Sequence, residues 1–411
     1  MQAEKKLFNR DFILVVIGQI ISLFGNAILR FALPYYLLKE TGSSALFGIA
    51  TACSFLPMVI LSLVGGIIAD RTNKRNIMVI LDFVTAIIIL VFYLSLGKIP
   101  IIPLFIVALM LLYGISGAYQ PAVQASIPLL VSSDKLTVGN AIINQVNTLA
   151  NFIGPAISGV VFQFYGINPI LIVSIICFTF SAIMEIFIHI PHQKRPREVG
   201  VIAVAKNDLK DSYTFLKKEK PIFISVIFLV CIFNLVLSAV LIVGLPILIS
   251  EVLKMPDTLY GFSQSALSLG GLCGILTALV ASKLKLKNLY TLLLICSVSV
   301  LLMGISLFLE LPAIVSYWVV TVMCFVAMGV STMFVVQIYT LVQTQTPPQL
   351  VGKIMATLVA VAMCGQPIGQ MVYGILFDVF IQETWVVMFV ASIASIMISI
   401  YSKRIFQKLE I

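Results

Sequence analysis

The chain has 411 residues, of which 60% are hydrophobic and 10% are charged, and its formal net charge is +9. Soluble domains carry about 25% charged residues, so this composition excludes a soluble enzyme or binding domain and indicates an integral membrane protein. A positive charge of this size would also fit a nucleic-acid-binding protein, but the placement of the basic residues along the chain argues against one.

Hydropathy predicts twelve membrane-spanning helices, because a helix needs roughly 20 apolar residues to cross a bilayer. They cover residues 12–38, 44–69, 77–97, 101–127, 138–164, 168–190, 221–249, 258–281, 288–309, 312–343, 351–379 and 384–402. With both termini placed in the cytoplasm, all but four of the 26 Lys and Arg residues lie on the cytoplasmic side, as the positive-inside rule requires. We therefore expect these residues to face membrane lipids and not nucleic acid.

The two halves of the sequence repeat short patterns at a nearly constant offset of about 213 residues, which favours two parallel six-helix repeats. Leu46-Phe47-Gly48 recurs as Leu259-Tyr260-Gly261, and Pro155 recurs as Pro367. We expect an N-terminal bundle over residues 1–190, a cytoplasmic linker with an amphipathic helix over 191–220, and a C-terminal bundle over 221–411. A flexible linker is the alternative for residues 191–220.

A polar stripe runs along the first predicted helix, where Gln19, Ser22, Asn26 and Arg30 recur at helical spacing and share one face. An arginine inside a membrane span is costly unless it is paired or hydrated. We therefore expect Gln19, Asn26 and Arg30 to line a substrate cavity, with Arg30 contacting an anionic or polar group. The alternative is an arginine that reaches outward to the membrane surface.

Uncharged polar side chains in other helices are further candidates for the substrate cavity. They are Tyr113 and Gln120 in helix 4, Asn144 in helix 5, Asn234 in helix 7 and Gln337 in helix 10. Amide side chains bind substrates, but they also join neighbouring helices inside membranes, so both interpretations stay open for each of them.

Acidic residues that could carry a proton are few. Asp82 in helix 3 and Glu185 in helix 6 are the candidates, because a carboxyl group in a low-dielectric environment can bind and release a proton. Pairing with a cytoplasmic Lys or Arg is the alternative. The sequence contains no P-loop, enzyme motif, metal-ligand pattern or cofactor fingerprint, so we expect neither an enzyme nor direct use of ATP.

A charged loop joins helices 2 and 3 and follows the pattern Gly-x-x-x-Asp-Arg-x-x-Lys-Arg. Its members are Gly66, Asp70, Arg71, Lys74 and Arg75. The charges fix the helix end at the membrane surface, because they cannot enter hydrocarbon cheaply. The pattern resembles the loop between helices 2 and 3 of the major facilitator superfamily, in which the Asp secures the cytoplasmic gate against helix 11.

Helix 5 is interrupted by Gly154-Pro155, which is followed by Gly159. Proline removes a backbone hydrogen bond and glycine permits close packing, so an ordinary kink is one interpretation. The stretch also resembles the Gly-Pro motif of the antiporter branches of the superfamily, where it is associated with export.

Together with Gly18-Gln19, Ser22-Leu23 and Thr41-Gly42-Ser43, these motifs are similar to those of the drug:proton antiporter group, which includes bacterial macrolide-efflux permeases. The resemblance implies an all-α fold of 12 transmembrane helices and alternating access around a central site. It implies a monomer in the bacterial cytoplasmic (inner) membrane that exports amphipathic small molecules in exchange for protons. An exporter of a siderophore or a lysolipid, and a membrane scaffold that transports nothing, are the alternatives.

Overall fold

The computed structural model describes residues 8–190, 212, 214–280 and 288–408, except for a few side chains inside helices. Every long element in these residues is an α-helix. The helices are α1 Arg10–Thr41, α2 Ser44–Arg71, α3 Lys74–Ser95, α4 Ile101–Leu130, α5 Leu136–Tyr165, α6 Ile167–Ile186, α7 Pro221–Val252, α8 Asp257–Val280, α9 Leu289–Phe308, α10 Ala313–Gln345, α11 Pro348–Val379 and α12 Thr384–Gln407. Each predicted span coincides with one helix to within a few residues, so the predicted all-α fold is confirmed.

Eleven of these helices are long and apolar enough to cross a membrane by length and composition, in the part of the chain that the structure describes. The exception is α5, which has 30 residues like α4 but is less apolar. Its side-chain amides lower its hydropathy; they are Asn140, Asn144, Gln145, Asn147 and Asn151. The helix compensates by packing closely on α1.

Contacts divide the chain into two compact units. The first consists of Met1–Gly42 and Ala50–Arg197, and the second of Ser43–Ile49 and Glu198–Ile411. Most of the predicted linker at 191–220 lies outside the described residues; within it, residues 214–218 are helical and Phe215 is buried. The repeat relationship between the two halves stays a prediction.

In the first unit, α1 packs on α5, α6 and α4, and α3 packs on α6 and α4. Small residues let these helices approach closely. A Cβ atom built on Gly154 of α5 would lie 2.6 Å from the Cβ of Ala27 in α1. Such close approach brings polar side chains of several helices into one interior.

In the second unit, α8 packs on α10, α9 on α12, and α7 on α11. Buried serines join α9 to α12: the Ser392 hydroxyl donates to the Ser297 carbonyl at 3.0 Å, and the hydroxyls of Ser297 and Ser399 lie 3.2 Å apart. Helix α7 contains two π-helical turns, at Asn234–Ser238 and Ile247–Val252. Widened turns of this kind are rare and frequently occur at functional sites.

The first residues of α2 pack within the second unit, against α11. The backbone N–H of Ser44 donates to Oδ1 of Asp378 at 2.8 Å, and the Ser43 hydroxyl donates to Oδ2 at 3.0 Å. Asp378 thus supplies an acceptor to the start of α2, where N–H groups have no partner within the helix. One turn further along α2, Gly48 lies against Gly374 of α11, and the absence of side chains lets the backbones of these two helices touch.

Candidate functional site

A buried polar cluster lies inside the first unit, where four helices meet. Its members are Gln19 and Ser22 of α1, Asp82 of α3, Tyr119 of α4 and Glu185 of α6. The Tyr119 hydroxyl donates to Oε1 of Glu185 at 2.6 Å and accepts from Nε2 of Gln19 at 2.7 Å. The Ser22 hydroxyl donates to Oδ1 of Asp82 at 3.3 Å. We call these five residues the acid cluster.

Both carboxyl groups of the acid cluster are shielded from solvent. Asp82 is 2% exposed and Glu185 is 0% exposed. Asp82 accepts a hydrogen bond from Ser22 and Glu185 accepts one from Tyr119, and no Lys or Arg among the described residues forms an ion pair with either carboxyl group. Pairing with a cytoplasmic basic residue is therefore not observed in the described part of the chain.

The acid cluster contains more hydrogen-bond acceptors than donors. Within the described residues, three of its buried oxygen atoms have no partner: Oε1 of Gln19, Oδ2 of Asp82 and Oε2 of Glu185. All three are acceptors, and each donor atom of the cluster already makes a hydrogen bond to another member. A buried acceptor without a donor costs about 1–3 kcal/mol, and an unpaired buried charge costs more. Protons on the two carboxyl groups would supply the missing donors.

The local sequence explains how a Glu fits beside α1. Gly18 faces α6, and a Cβ built on it would lie 3.6 Å from both Cγ and Oε1 of Glu185. The Ser181 hydroxyl, one turn before Glu185, donates to the Gly18 carbonyl at 3.2 Å. The small residue and this hydrogen bond hold α6 close to α1 and fix the depth of Glu185.

A narrow cavity adjoins the acid cluster, and Asp82 lies at its wall. Its polar lining residues are Ser22, Asn26, Arg30, Asp82, Thr85, Tyr113, Ser116 and Tyr119. The structure thus brings together Asn26, Arg30 and Tyr113, three of the predicted cavity residues. The cavity has room for about one water molecule, so it suits water or protons and excludes a drug-sized ligand.

Arg30 and Tyr113 form a cation–π pair beside this cavity. The guanidinium carbon of Arg30 lies 4.4 Å from the centroid of the Tyr113 ring. Stacking on a ring occupies the face of a guanidinium and leaves the N–H groups at its edge available to an anion. Arg30 is exposed, so this edge can be reached.

The Gly-Pro motif of α5 lies against the middle of α1. Gly154 contacts Ala27, and the Ser158 hydroxyl donates to the Ile28 carbonyl at 3.1 Å. Pro155 and Gly159 are buried in the same helix. The motif therefore holds the stretch of α1 that carries Asn26 and Arg30.

Residues 15–370 match the sequence profile of the Major Facilitator Superfamily. The chain belongs to the major facilitator superfamily. It is 23% identical over 370 residues to macrolide efflux protein A of Streptococcus pyogenes, a match that covers 88% of each chain. It is 25% identical over 279 residues to the staphyloferrin A transporter of Staphylococcus aureus, with 66% of each chain covered.

The fold is also that of known superfamily structures. The crystal structure of the nucleoside transporter NupG superposes with a TM-score of 0.77, at 12% identity, over 98% of this chain and 99% of that one. The family match makes the chain a multi-pass membrane transporter of the major facilitator type, and proteins of this superfamily are not enzymes. Likeness at this identity concerns the fold alone.

In this superfamily member, the loop motif contacts the end of α6. Asn73 caps α3 by accepting from the Arg75 N–H at 3.0 Å. The Arg75 guanidinium then donates to the carbonyl of Ile186, the last residue of α6, at 3.4 Å, where a cation is favoured by the helix dipole. Lys74 is the first residue of α3. The side chains of Asp70 and Arg71 lie outside the described residues.

The other predicted cavity residues occupy different places. Gln19 is fully buried in the acid cluster and does not line the narrow cavity. Gln120 is half-buried on α4, and Asn144 is exposed on α5. In the second unit, Gln337 is half-buried on α10.

Asn234 takes part in helix packing. Its Nδ2 donates to the Ala362 carbonyl of α11 at 3.2 Å, and its Oδ1 accepts from the Ser238 hydroxyl at 2.8 Å. The residue begins the first π-helical turn of α7. In this structure it joins α7 to α11.

Sequence reasoning missed Tyr119 and Ser181. Tyr119 is 5% exposed inside an apolar span, and a buried tyrosine hydroxyl usually finds a hydrogen-bond partner. That signal pointed to some partner but could not identify Glu185. Ser181 gave no signal, because serine is common in the packed faces of membrane helices.

Proposed function

We propose that this superfamily member is a secondary active exporter of amphipathic small molecules, which works by alternating access and exchanges its cargo for protons. The acid cluster carries the proposal, because Asp82 and Glu185 are buried without a basic partner in the described residues and lack donors that protons would supply. The resemblance to macrolide efflux protein A supports export as the direction.

Proton coupling needs an acid that changes its protonation during the cycle. An ionised carboxylate in a nonpolar interior costs several kcal/mol unless it is paired. Asp82 contacts both the buried cluster and the cavity that Arg30 lines. A conformational change that opened this cavity to water would hydrate the Asp82 carboxylate and favour release of its proton. Closing the cavity again would favour the neutral carboxyl group and therefore the binding of a new proton.

Cargo binding is assigned to the polar residues of the first unit that can be reached. Asn26, Arg30 and Tyr113 contribute an amide, a cation and an aromatic ring, which suit an amphipathic molecule with a polar end. The narrow cavity that they line is too small for such a molecule, so alternating access must widen it before cargo binds. Gln120, Asn144 and Gln337 remain proposed contacts. Asp70 and Arg71 remain the proposed gate residues of the loop. We place the protein, as a monomer, in the bacterial inner membrane with both termini in the cytoplasm.

The test is export from cells that lack their own efflux pumps. Cells that express the protein would be screened against a panel of macrolides and other amphipathic compounds, and retained label would be measured. We expect lower accumulation of at least one compound, and a loss of this effect in Asp82→Asn. Asp134→Asn is the matched control, because Asp134 is exposed in the turn after α4. Unchanged accumulation across the panel would count against drug export and favour the scaffold alternative.

A second candidate keeps the mechanism and changes the cargo to an anionic metabolite of the siderophore type. The observation that favours it is the exposed Arg30, whose stacking on Tyr113 leaves its N–H groups free for a carboxylate. The relative named staphyloferrin A transporter is in agreement with it. Proteoliposomes under an imposed pH gradient would distinguish the two, since an exporter of anions moves labelled anionic siderophores and leaves neutral amphipathic compounds behind.

A further inference from the structure

We infer that Asp82, Ser22, Tyr119 and Glu185 form a hydroxyl-linked proton relay, in which Asp82 exchanges protons with the cavity and Glu185 stores a proton behind it. The inference deepens the proposed function and rests on its proton-coupled mechanism. It adds two residues, Ser22 and Tyr119, that link the acids.

The two acids are placed differently. Asp82 and Tyr119 belong to the wall of the narrow cavity, whereas Glu185 does not. Glu185 is 0% exposed, and its Oε1 is covered by Tyr119 at 2.6 Å. A proton can therefore reach Asp82 from water in the cavity, but it reaches Glu185 only through another group.

The hydroxyl groups form a chain between the acids. Ser22 donates to Asp82 at 3.3 Å, and both Ser22 and Tyr119 lie in the wall of the same narrow cavity. Tyr119 donates to Glu185. A hydroxyl both donates and accepts, and its hydrogen rotates to suit its neighbours, so each link can pass a proton.

The transfer balances without any other reactant. The proton of neutral Asp82 moves to the Ser22 oxygen as the Ser22 proton moves to the Tyr119 oxygen. The Tyr119 proton moves to Oε1 of ionised Glu185 in the same event. Asp82 ends ionised, Glu185 ends neutral, and both hydroxyls are intact.

Gln19 fixes the direction of the Tyr119 hydroxyl. Its Nε2 donates to the Tyr119 oxygen at 2.7 Å, so the Tyr119 proton is directed away from Gln19 and toward Glu185. The charged or ionisable groups that line the cavity or belong to the acid cluster are Asp82 on α3, Tyr113 and Tyr119 on α4, Glu185 on α6 and Arg30 on α1. Arg30 lies two turns beyond Ser22, about 12 Å along the helix, so it is not a link.

The test follows hydrogen exchange at each carboxyl group and needs no cargo. Infrared spectra of the purified full-length protein would be recorded after transfer to deuterated buffer. Asp82→Asn and Glu185→Gln would assign the two carboxyl bands. We expect both bands to exchange quickly in the wild type. In Tyr119→Phe and in Ser22→Ala, we expect the Glu185 band to exchange at least about tenfold more slowly while the Asp82 band keeps its rate.

The control is Tyr317→Phe, which removes a buried tyrosine hydroxyl that donates to the Leu259 carbonyl in the second unit. It should leave both exchange rates unchanged. This control separates the loss of a relay hydroxyl from a general destabilisation of the protein by the loss of a buried hydroxyl. Equal exchange of Glu185 in the wild type, Tyr119→Phe and Ser22→Ala would overturn the relay, as would a wild type without neutral carboxyl bands at any pH. Failure of gradient-driven export with normal exchange would instead reject the proposed function.

Discussion

Gly65 of α2 lies directly against Ala118 of α4: a Cβ atom built on Gly65 would be 2.6 Å from the Ala118 Cα. The next residue, Gly66, belongs to the loop motif, yet among the described residues a Cβ built there would meet only the Cβ of Pro121, at 3.9 Å. At this turn of α2, the tight contact with α4 therefore depends on Gly65 and not on the motif glycine.

We expect Gly65→Ala to destabilise the protein by about 1–3 kcal/mol, because the backbones must separate to admit a methyl group. Gly66→Ala is the matched control and should unfold at or above the wild-type temperature, since alanine favours the helix by up to about 1 kcal/mol. Thermal unfolding of the purified protein in detergent would check both. Equal melting temperatures for the two variants would contradict the packing described for α2 and α4.

The Arg30–Tyr113 pair predicts a dependence on cargo charge. Arg30→Ala removes the guanidinium and should abolish transport of anionic compounds while neutral compounds are still moved. Tyr113→Leu removes the ring that orients the guanidinium and should weaken anionic transport less, because a cation–π contact at an exposed site contributes about 0.5–1 kcal/mol. Proteoliposome uptake of one anionic and one neutral compound would measure this. Equal loss for both compounds would indicate a structural Arg30.

Asn234 offers a direct test between helix packing and cargo binding. Its amide joins α7 to the Ala362 carbonyl of α11. We expect Asn234→Ala to lower the unfolding temperature, and Asn234→Asp to lower it further, since an ionised carboxylate would face a carbonyl oxygen. Asn144→Ala, at an exposed position of α5, should be neutral. A variant that melts like the wild type but binds cargo less tightly would favour the cavity-lining interpretation.

Gly369 of α11 packs directly against the first π-helical turn of α7. A side chain at Gly369 would collide with the Leu235 carbonyl and lie 2.5 Å from the Ala239 Cβ. We expect Gly369→Ala to destabilise the second unit by about 1–3 kcal/mol. In Gly352→Ala, in the same helix, the new methyl group would meet no atom of the described residues within 4 Å beyond its own stretch of helix, so we expect this variant to be tolerated. Fluorescence-detected size-exclusion profiles after a heating series would compare the two.

The sequence predicted the fold well because membrane helices are specified locally. Each span must be apolar over roughly 20 residues and satisfy its backbone hydrogen bonds internally, so hydropathy alone finds it. Helix α5 shows the limit of this rule: the sequence predicted it from its apolar residues with the others, but its amides lower its hydropathy and it is the one of the twelve described helices that is not apolar enough to be a candidate span. The loop and Gly-Pro motifs then indicated the superfamily, which the family match confirmed.

The candidate site was predicted only in its parts. Helical spacing placed Asn26 and Arg30 on one face of α1, and both line the narrow cavity. The same spacing placed Gln19 with them, but Gln19 lies in the acid cluster. Periodicity gives the direction of a side chain around its own helix and does not identify the neighbouring helix it meets.

What the sequence by itself determined is the set of spans, their number and the superfamily, because these depend on residues close together in the chain. What only the tertiary structure decided is that Asp82 and Glu185, on α3 and α6, share one interior with Tyr119 of α4 and that no basic residue among those described accompanies them. The physical reason is that burial and hydrogen bonding depend on how separate helices pack, which no single span encodes.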